Sequence, residues 1–179
     1  MNVCKLQLDP IIVSPNQVYY ALKAFAHTIL FNRICGIPIT PKEIQCPLFD
    51  HVIYVQIDSK EIDQEVEQSI HTICKSIRNY SMIEIYIKLY STITKYGFLG
   101  EYKENIEWER WSIIMNVSEP CHESKILERM NTILELCGKY QDHIPMTKNI
   151  GFSITPSIEK ETSFLDMFRS MPQLLPGMS

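Results

Sequence analysis

Two segments of this chain alternate so regularly that they dictate a sheet. In residues 81–90, Ile83, Ile85, Ile87 and Leu89 fall on one face, and Glu84, Tyr86, Lys88 and Tyr90 fall on the other. In residues 110–117, Trp111, Ile113, Met115 and Val117 oppose Arg110, Ser112, Ile114 and Asn116. A period of two is that of a half-buried strand, one face on a core and the other toward water. Their closeness along the chain makes an antiparallel pair the simplest arrangement. The connection between them holds Tyr96 and Phe98 around Gly97, with a second glycine at Gly100. Nothing in its pattern offers those two rings a helix or strand face to pack on. A hairpin loop longer than about twelve residues is uncommon and usually functional. The stretch at about 91–106 is therefore expected to be an aromatic finger loop, with Tyr96, Gly97 and Phe98 as partner-binding residues.

Three helices are expected to cover this sheet. The first starts after Ser14-Pro15, with Asn16 as its cap, and buries one stripe of Val18, Leu22, Phe25 and Ile29. It should run to about Ile34 and stop at Gly36. The second follows a β-branched strand at 51–58; Asp58 with Glu61 makes a capping-box pattern, and Ile62, Val66, Ile70, Ile73 and Ile77 form the stripe. The third, taken as the most hydrophobic, carries Ile126, Leu127, Met130, Ile133, Leu134 and Cys137 and ends at Gly138. Residues 3–13, broken by Asp9-Pro10, read as an edge strand, and the proline-rich run after Gly36 as a loop or irregular edge. Ile150, Phe152 and Ile154 alternate as a last short strand, and an amphipathic piece around Phe164 to Phe168 sits in the tail that begins at about 156. With no repeat or boundary, 1–179 reads as a single α+β domain with a largely antiparallel sheet covered by three helices.

Charge and cysteine usage exclude several functions. A net charge of -4, with lysines and arginines scattered, lacks the cationic excess that phosphate neutralisation demands. No apolar run reaches the roughly 18 residues of a membrane span, and Lys5 and Asp9 interrupt any signal-peptide core, so a cytosolic protein is expected. The six cysteines lie 11 or more positions apart and read as reduced thiols without a CxxC pair. Asn79-Tyr80-Ser81 and Asn116-Val117-Ser118 are discounted as glycosylation sites in such a protein.

Chemistry-bearing groups are sparse. Gly97 and Gly100 fit no phosphate-binding pattern and precede a strand. Cys121, His122, Cys137 and His143 can be drawn as metal ligands, but their spacing fits no standard zinc site and Cys137 falls on an apolar stripe. Glu101, Glu104, Glu107 and Glu109 read as a solvated hairpin rather than as paired catalytic carboxylates. His27 reads as a packed histidine, and Trp111 as core rather than half of a ligand cage with Trp108. The expectation is a chain without catalytic residues, cofactor or metal.

Five stretches carry a resemblance to a known family. They are His27 to Arg33 with Gly36, the strand and capped helix in Val52 to Asp63, Ile106-Glu107-Trp108-Glu109-Arg110-Trp111, Ile144-Pro145-Met146, and Ile150 to Thr155. In order and spacing the chain resembles the autophagy-related protein 101 family, small HORMA-fold subunits of the autophagy-initiation kinase complex. The resemblance implies a HORMA-like fold and a non-enzymatic adaptor. Such an adaptor pairs with and stabilises the HORMA domain of autophagy-related protein 13 and is recruited to the phagophore assembly site. The family's Trp-x-Phe finger, which recruits downstream autophagy factors, matches Tyr96, Gly97 and Phe98, with tyrosine in place of tryptophan. The chain is also shorter than expected between Met146 and Ile150, which favours a fixed scaffold over a mobile belt. The alternatives are a peptide-closing HORMA module of checkpoint type and a cysteine-dependent hydrolase.

Overall fold

A computed structural model describes residues 2–34, 40–77, 82–98, 100–147 and 149–157. The expected stop at Gly36, the Asn79 motif and the Phe164 to Phe168 piece lie outside the described residues, as does the tail beyond residue 157. The elements in chain order are β1 (Cys4–Gln7), β2 (Ile11–Val13), α1 (Pro15–Arg33), β3 (Pro41–Gln45), β4 (Ile53–Ile57), α2 (Lys60–Ser76), β5 (Met82–Gly97), β6 (Gly100–Val117), α3 (Glu123–Lys139) and β7 (Ile150–Pro156). This is the expected α+β class, a HORMA-like arrangement of three helices with a main sheet.

The main sheet is ordered β1-β6-β5-β7, with β2 continuing the edge begun by β1. β5 pairs antiparallel with β6 and with β7, while β1 and β2 run parallel to β6. Asp9-Pro10 interrupts that edge as expected: Leu8 N–H still donates to the Ser112 carbonyl at 3.0 Å, and the ladder resumes at Ile11. The inward faces carry the alternating residues, with Ile83, Ile85, Ile87 and Leu89 of β5 beside Trp111, Ile113 and Met115 of β6, and Phe152 and Ile154 of β7. On the outer face Arg110 pairs in bidentate fashion with Glu107 and lies 5.5 Å from the Tyr86 ring centre. β3 and β4 form a separate two-stranded antiparallel sheet, so the strand expected at 51–58 does not enter the main one.

The helices depart from expectation in ways that packing explains. α1 buries far more than one stripe: besides Val18, Leu22, Phe25 and Ile29, its residues Ala24, Ala26, His27, Thr28, Leu30 and Arg33 are also enclosed. It packs against α2, α3, β4 and β6, and it, not α3, is the most deeply apolar helix. Its N-cap is Ser14 rather than Asn16, since Pro15 fits the first helical position and the Ser14 N–H donates to Gln17 Oε1 at 3.1 Å. The α2 cap likewise falls on Ser59 instead of Asp58, its hydroxyl accepting from Ile62 N–H at 3.3 Å. Of the α2 stripe, Val66, Ile70, Ile73 and Ile77 are buried as read, while Ile62 is only partly buried. On α3, Leu134 is exposed rather than core, and Gly138 lies inside the helix. Among the described residues no helix is long and apolar enough to cross a membrane.

Candidate functional site

The connection expected as a loop over 91–106 is instead a β-ribbon. The β5–β6 ladder continues without interruption from Tyr90↔Glu107 to Gly97↔Gly100, so the strands are joined by residues 98 and 99 alone. Gly100 holds φ at +119°, a conformation closed to most side chains, which is why glycine stands where the chain reverses. The third strand, β7, pairs with β5 only as far as Ser91↔Ile150. Thr92 N–H still donates to the Asn149 carbonyl at 3.0 Å, and from Ile93 to Gly97 the ribbon stands free of the sheet, a reach of about 17 Å at roughly 3.4 Å per residue.

Its side chains hold one another rather than the core. Thr92 Oγ1 donates to Asn105 Oδ1 at 2.9 Å across the ladder. Lys95 pairs with Glu104, and that hydrogen bond raises the Lys95 pKa. At the end, Tyr96 lies opposite Glu101 and is 82% exposed, Phe98 at the turn is fully exposed, and Tyr102 is half exposed. An isolated two-stranded ribbon is marginal in water, so its geometry depends on a firm root.

The root is a β-bulge. Leu89 pairs with Glu109 but Tyr90 pairs with Glu107, leaving Trp108 as an extra residue in β6. The bulge brings Trp108 inward beside Glu109, which already shares the inward face of Trp111, Ile113 and Met115 by strand alternation, and the expectation of a solvated Glu109 is overturned: the carboxylate is 0% exposed. It is satisfied on every side. Arg33 Nε donates to Oε1 at 2.8 Å and Oε2 at 2.9 Å, Trp111 Nε1 donates to Oε1 at 2.6 Å, and His143 Nε2 lies 2.6 Å from Oε2. Arg33 Nη1 and Nη2 donate to the Cys137 and Tyr140 carbonyls at 3.1 and 3.0 Å. The Trp108 ring sits 5.7 Å from that of His143. On the β5 side the Tyr90 ring covers Gly151, and its hydroxyl donates to the Phe152 carbonyl at 3.1 Å.

The residues drawn as a possible metal set do not assemble as drawn. Cys137 is buried on the α3 stripe, and His122 caps α3 through Ser124 N–H. His143 instead joins Glu109 and Cys4. One signal for this root was in the sequence: Trp108 and Trp111 are three apart, and in a regular strand they cannot both face a core. His27 is packed as expected, stacked on Tyr54 with its Nε2 3.3 Å from Asp63 Oδ1, and burial lowers its pKa to about 4. Burial also pushes up the thiols of Cys4, Cys74, Cys121 and Cys137, the last to about 11.

What the arrangement can do chemically is present two unshielded aromatic rings on a stiffly rooted arm. The chain is 27% identical to autophagy-related protein 101 of Arabidopsis thaliana over an alignment of 207 positions, covering 94% of this chain and 94% of that relative. The family model described as autophagy-related protein 101 matches residues 10–150, which span the whole ribbon and its root. The chain therefore belongs to the autophagy-related protein 101 family.

Proposed function

We propose that this chain is a single HORMA-like domain acting as a non-enzymatic adaptor of the autophagy-initiation kinase complex. In this reading it pairs with and stabilises the HORMA domain of autophagy-related protein 13, works in the cytoplasm and at the phagophore assembly site, and recruits downstream autophagy factors through Tyr96 and Phe98. The observation that carries the reading is the exposure of those two rings at the tip of a ribbon that projects beyond the sheet. Large apolar groups held in water are a cost to a monomer, and a partner's pocket recovers it at roughly 1.5–3 kcal/mol for each fully buried ring. Tyrosine at 96 keeps an amphipathic ring able to fill such a pocket and to hydrogen-bond at its rim.

A non-catalytic role is supported by the thiols. A cysteine nucleophile needs a lowered pKa, and burial moves Cys4, Cys74, Cys121 and Cys137 in the opposite direction. Light scattering after size exclusion tests the pairing: this chain mixed with the HORMA domain of autophagy-related protein 13 from the same source should elute as a one-to-one complex. Two separate monomer peaks from folded proteins would refute it.

A further inference from the structure

We propose that Cys4, Glu109 and His143 form a binding site for one divalent metal ion of the zinc class. The cysteine Sγ, a carboxylate oxygen of Glu109 and an imidazole nitrogen of His143 lie within 4.8 Å of one another. Three separate features of the fold bring them there. The parallel β1–β6 register sets Cys4 directly beside Glu109. The alternation of β6 sets Glu109 on the inward face with Trp111, and the connection after α3 folds His143 back onto it.

The donor set suits the ion. A thiolate, an imidazole and a carboxylate together favour zinc over calcium or magnesium, which take oxygen ligands. Around a tetrahedral zinc, with bonds of about 2.0–2.3 Å, ligand atoms stand about 3.5 Å apart, so the His143–Glu109 pair, now at 2.6 Å, opens by about 1 Å and a separation at the 4.8 Å limit closes by about as much. The surroundings already orient the ligands. Oε1 of Glu109 is held by Trp111 Nε1 and Arg33 Nε, which leaves Oε2 turned toward His143. The Trp108 ring lies beside the imidazole, tilted by 50° with the ring centres 5.7 Å apart.

The ion takes the place of the hydrogen bond between His143 Nε2 and Glu109 Oε2: the neutral imidazole carries its proton on Nδ1, and the Cys4 thiol releases its proton to solvent. Arg33 keeps Oε1 and gives up its longer contact to Oε2. The formal charges permit this: thiolate, carboxylate and guanidinium sum to minus one, and the ion brings the cluster to plus one. Cys4 and His143 are partly exposed, which gives an ion a route in and leaves a fourth position for water. Bound there, it would link β1, β6 and the segment after α3 at the root of the ribbon.

Titration of the chelator-stripped full chain with Zn²⁺, and with Co²⁺ as a spectroscopic probe, tests the site. The expected result is one ion per chain, a near-ultraviolet thiolate-to-cobalt absorption band and a raised melting temperature. Cys4→Ser and His143→Asn should each abolish the band and weaken zinc binding at least about tenfold. Cys121→Ser, which removes a thiol outside the cluster, should leave both unchanged. Circular dichroism of the metal-free variants checks that they fold; should Cys4→Ser not fold, His143→Asn decides by the same criteria. The proposal is overturned if the wild-type chain binds no ion, or if folded Cys4→Ser or His143→Asn binds zinc as tightly as the wild type.

Discussion

Arg33 and Glu109, 76 positions apart in sequence, share a bifurcated hydrogen bond in which a single Nε–H reaches both carboxylate oxygens, and the two side chains are 1% and 0% exposed. This pair joins the end of α1 to β6, and through the Cys137 and Tyr140 carbonyls it also joins the end of α3. A buried ion pair is not in itself a large net stabiliser, but removing one partner strands the other charge without water.

Arg33→Met should therefore destabilise the protein by about 3–5 kcal/mol, and Glu109→Gln by a comparable amount. Combining Arg33→Met with Glu109→Gln should cost less than the sum of the two single changes. Urea denaturation of the four proteins, compared as a double-mutant cycle, measures this coupling. Additive losses would show that the two residues act separately.

Gly151 stands where a Cβ would come within 2.3 Å of the Tyr90 ring. Gly151→Ala should push that ring aside, break its hydrogen bond to the Phe152 carbonyl and cost about 1–3 kcal/mol. Adding Tyr90→Ala to that variant should make the Gly151→Ala step itself nearly neutral, which thermal or urea unfolding can read. An equal cost in both backgrounds would place the strain elsewhere.

His27 gives the stability a pH dependence with a defined sign. Burial lowers its pKa in the folded state to about 4, below the ordinary value of about 6.5 that the unfolded chain retains. Asp63 and Glu67 oppose that shift and Lys23 reinforces it, so desolvation is the deciding influence. Between these two values the unfolded state binds the additional proton, and stability falls as pH drops from about 6.5 toward 4. At pH 5 the loss from this group reaches about 2 kcal/mol. Unfolding midpoints at pH 7 and pH 5 should differ less in His27→Gln than in the wild type; an unchanged difference would remove His27 as the cause.

Where one periodicity governs an element, the sequence was sufficient to read it. The β5 and β6 alternation, the α2 stripe and the strand at Ile150 to Ile154 each depend on local spacing, and each is found where that spacing puts it. What escaped is set by contacts distant in sequence. Glu109 shares the inward parity of Trp111, but a carboxylate reads as solvated until Arg33, distant in sequence, is there to pair with it, and α1 reads as amphipathic until helices and strands surround it. The cap shifts to Ser14 and Ser59 turn on a single residue, finer than pattern can decide. The ribbon reads as a loop in the sequence because its polar residues, Thr92, Thr94, Lys95 and Lys103, carry no burial signal, although they pair strand to strand.

Tyr96 and Phe98 are exposed side chains that bury no surface in the fold. Replacing both with alanine should change unfolding stability by no more than about 0.5 kcal/mol, since neither ring is buried. Urea unfolding measures this, and a loss of several kcal/mol would show that the rings pack on the protein in solution.

The most direct test of the adaptor reading combines that double variant with recruitment. The Tyr96→Ala, Phe98→Ala chain, assembled with the HORMA domain of autophagy-related protein 13, is compared with the wild-type assembly for capture of downstream autophagy factors. The account predicts an intact one-to-one assembly whose capture is lost. Undiminished capture by a folded, paired double variant would contradict it.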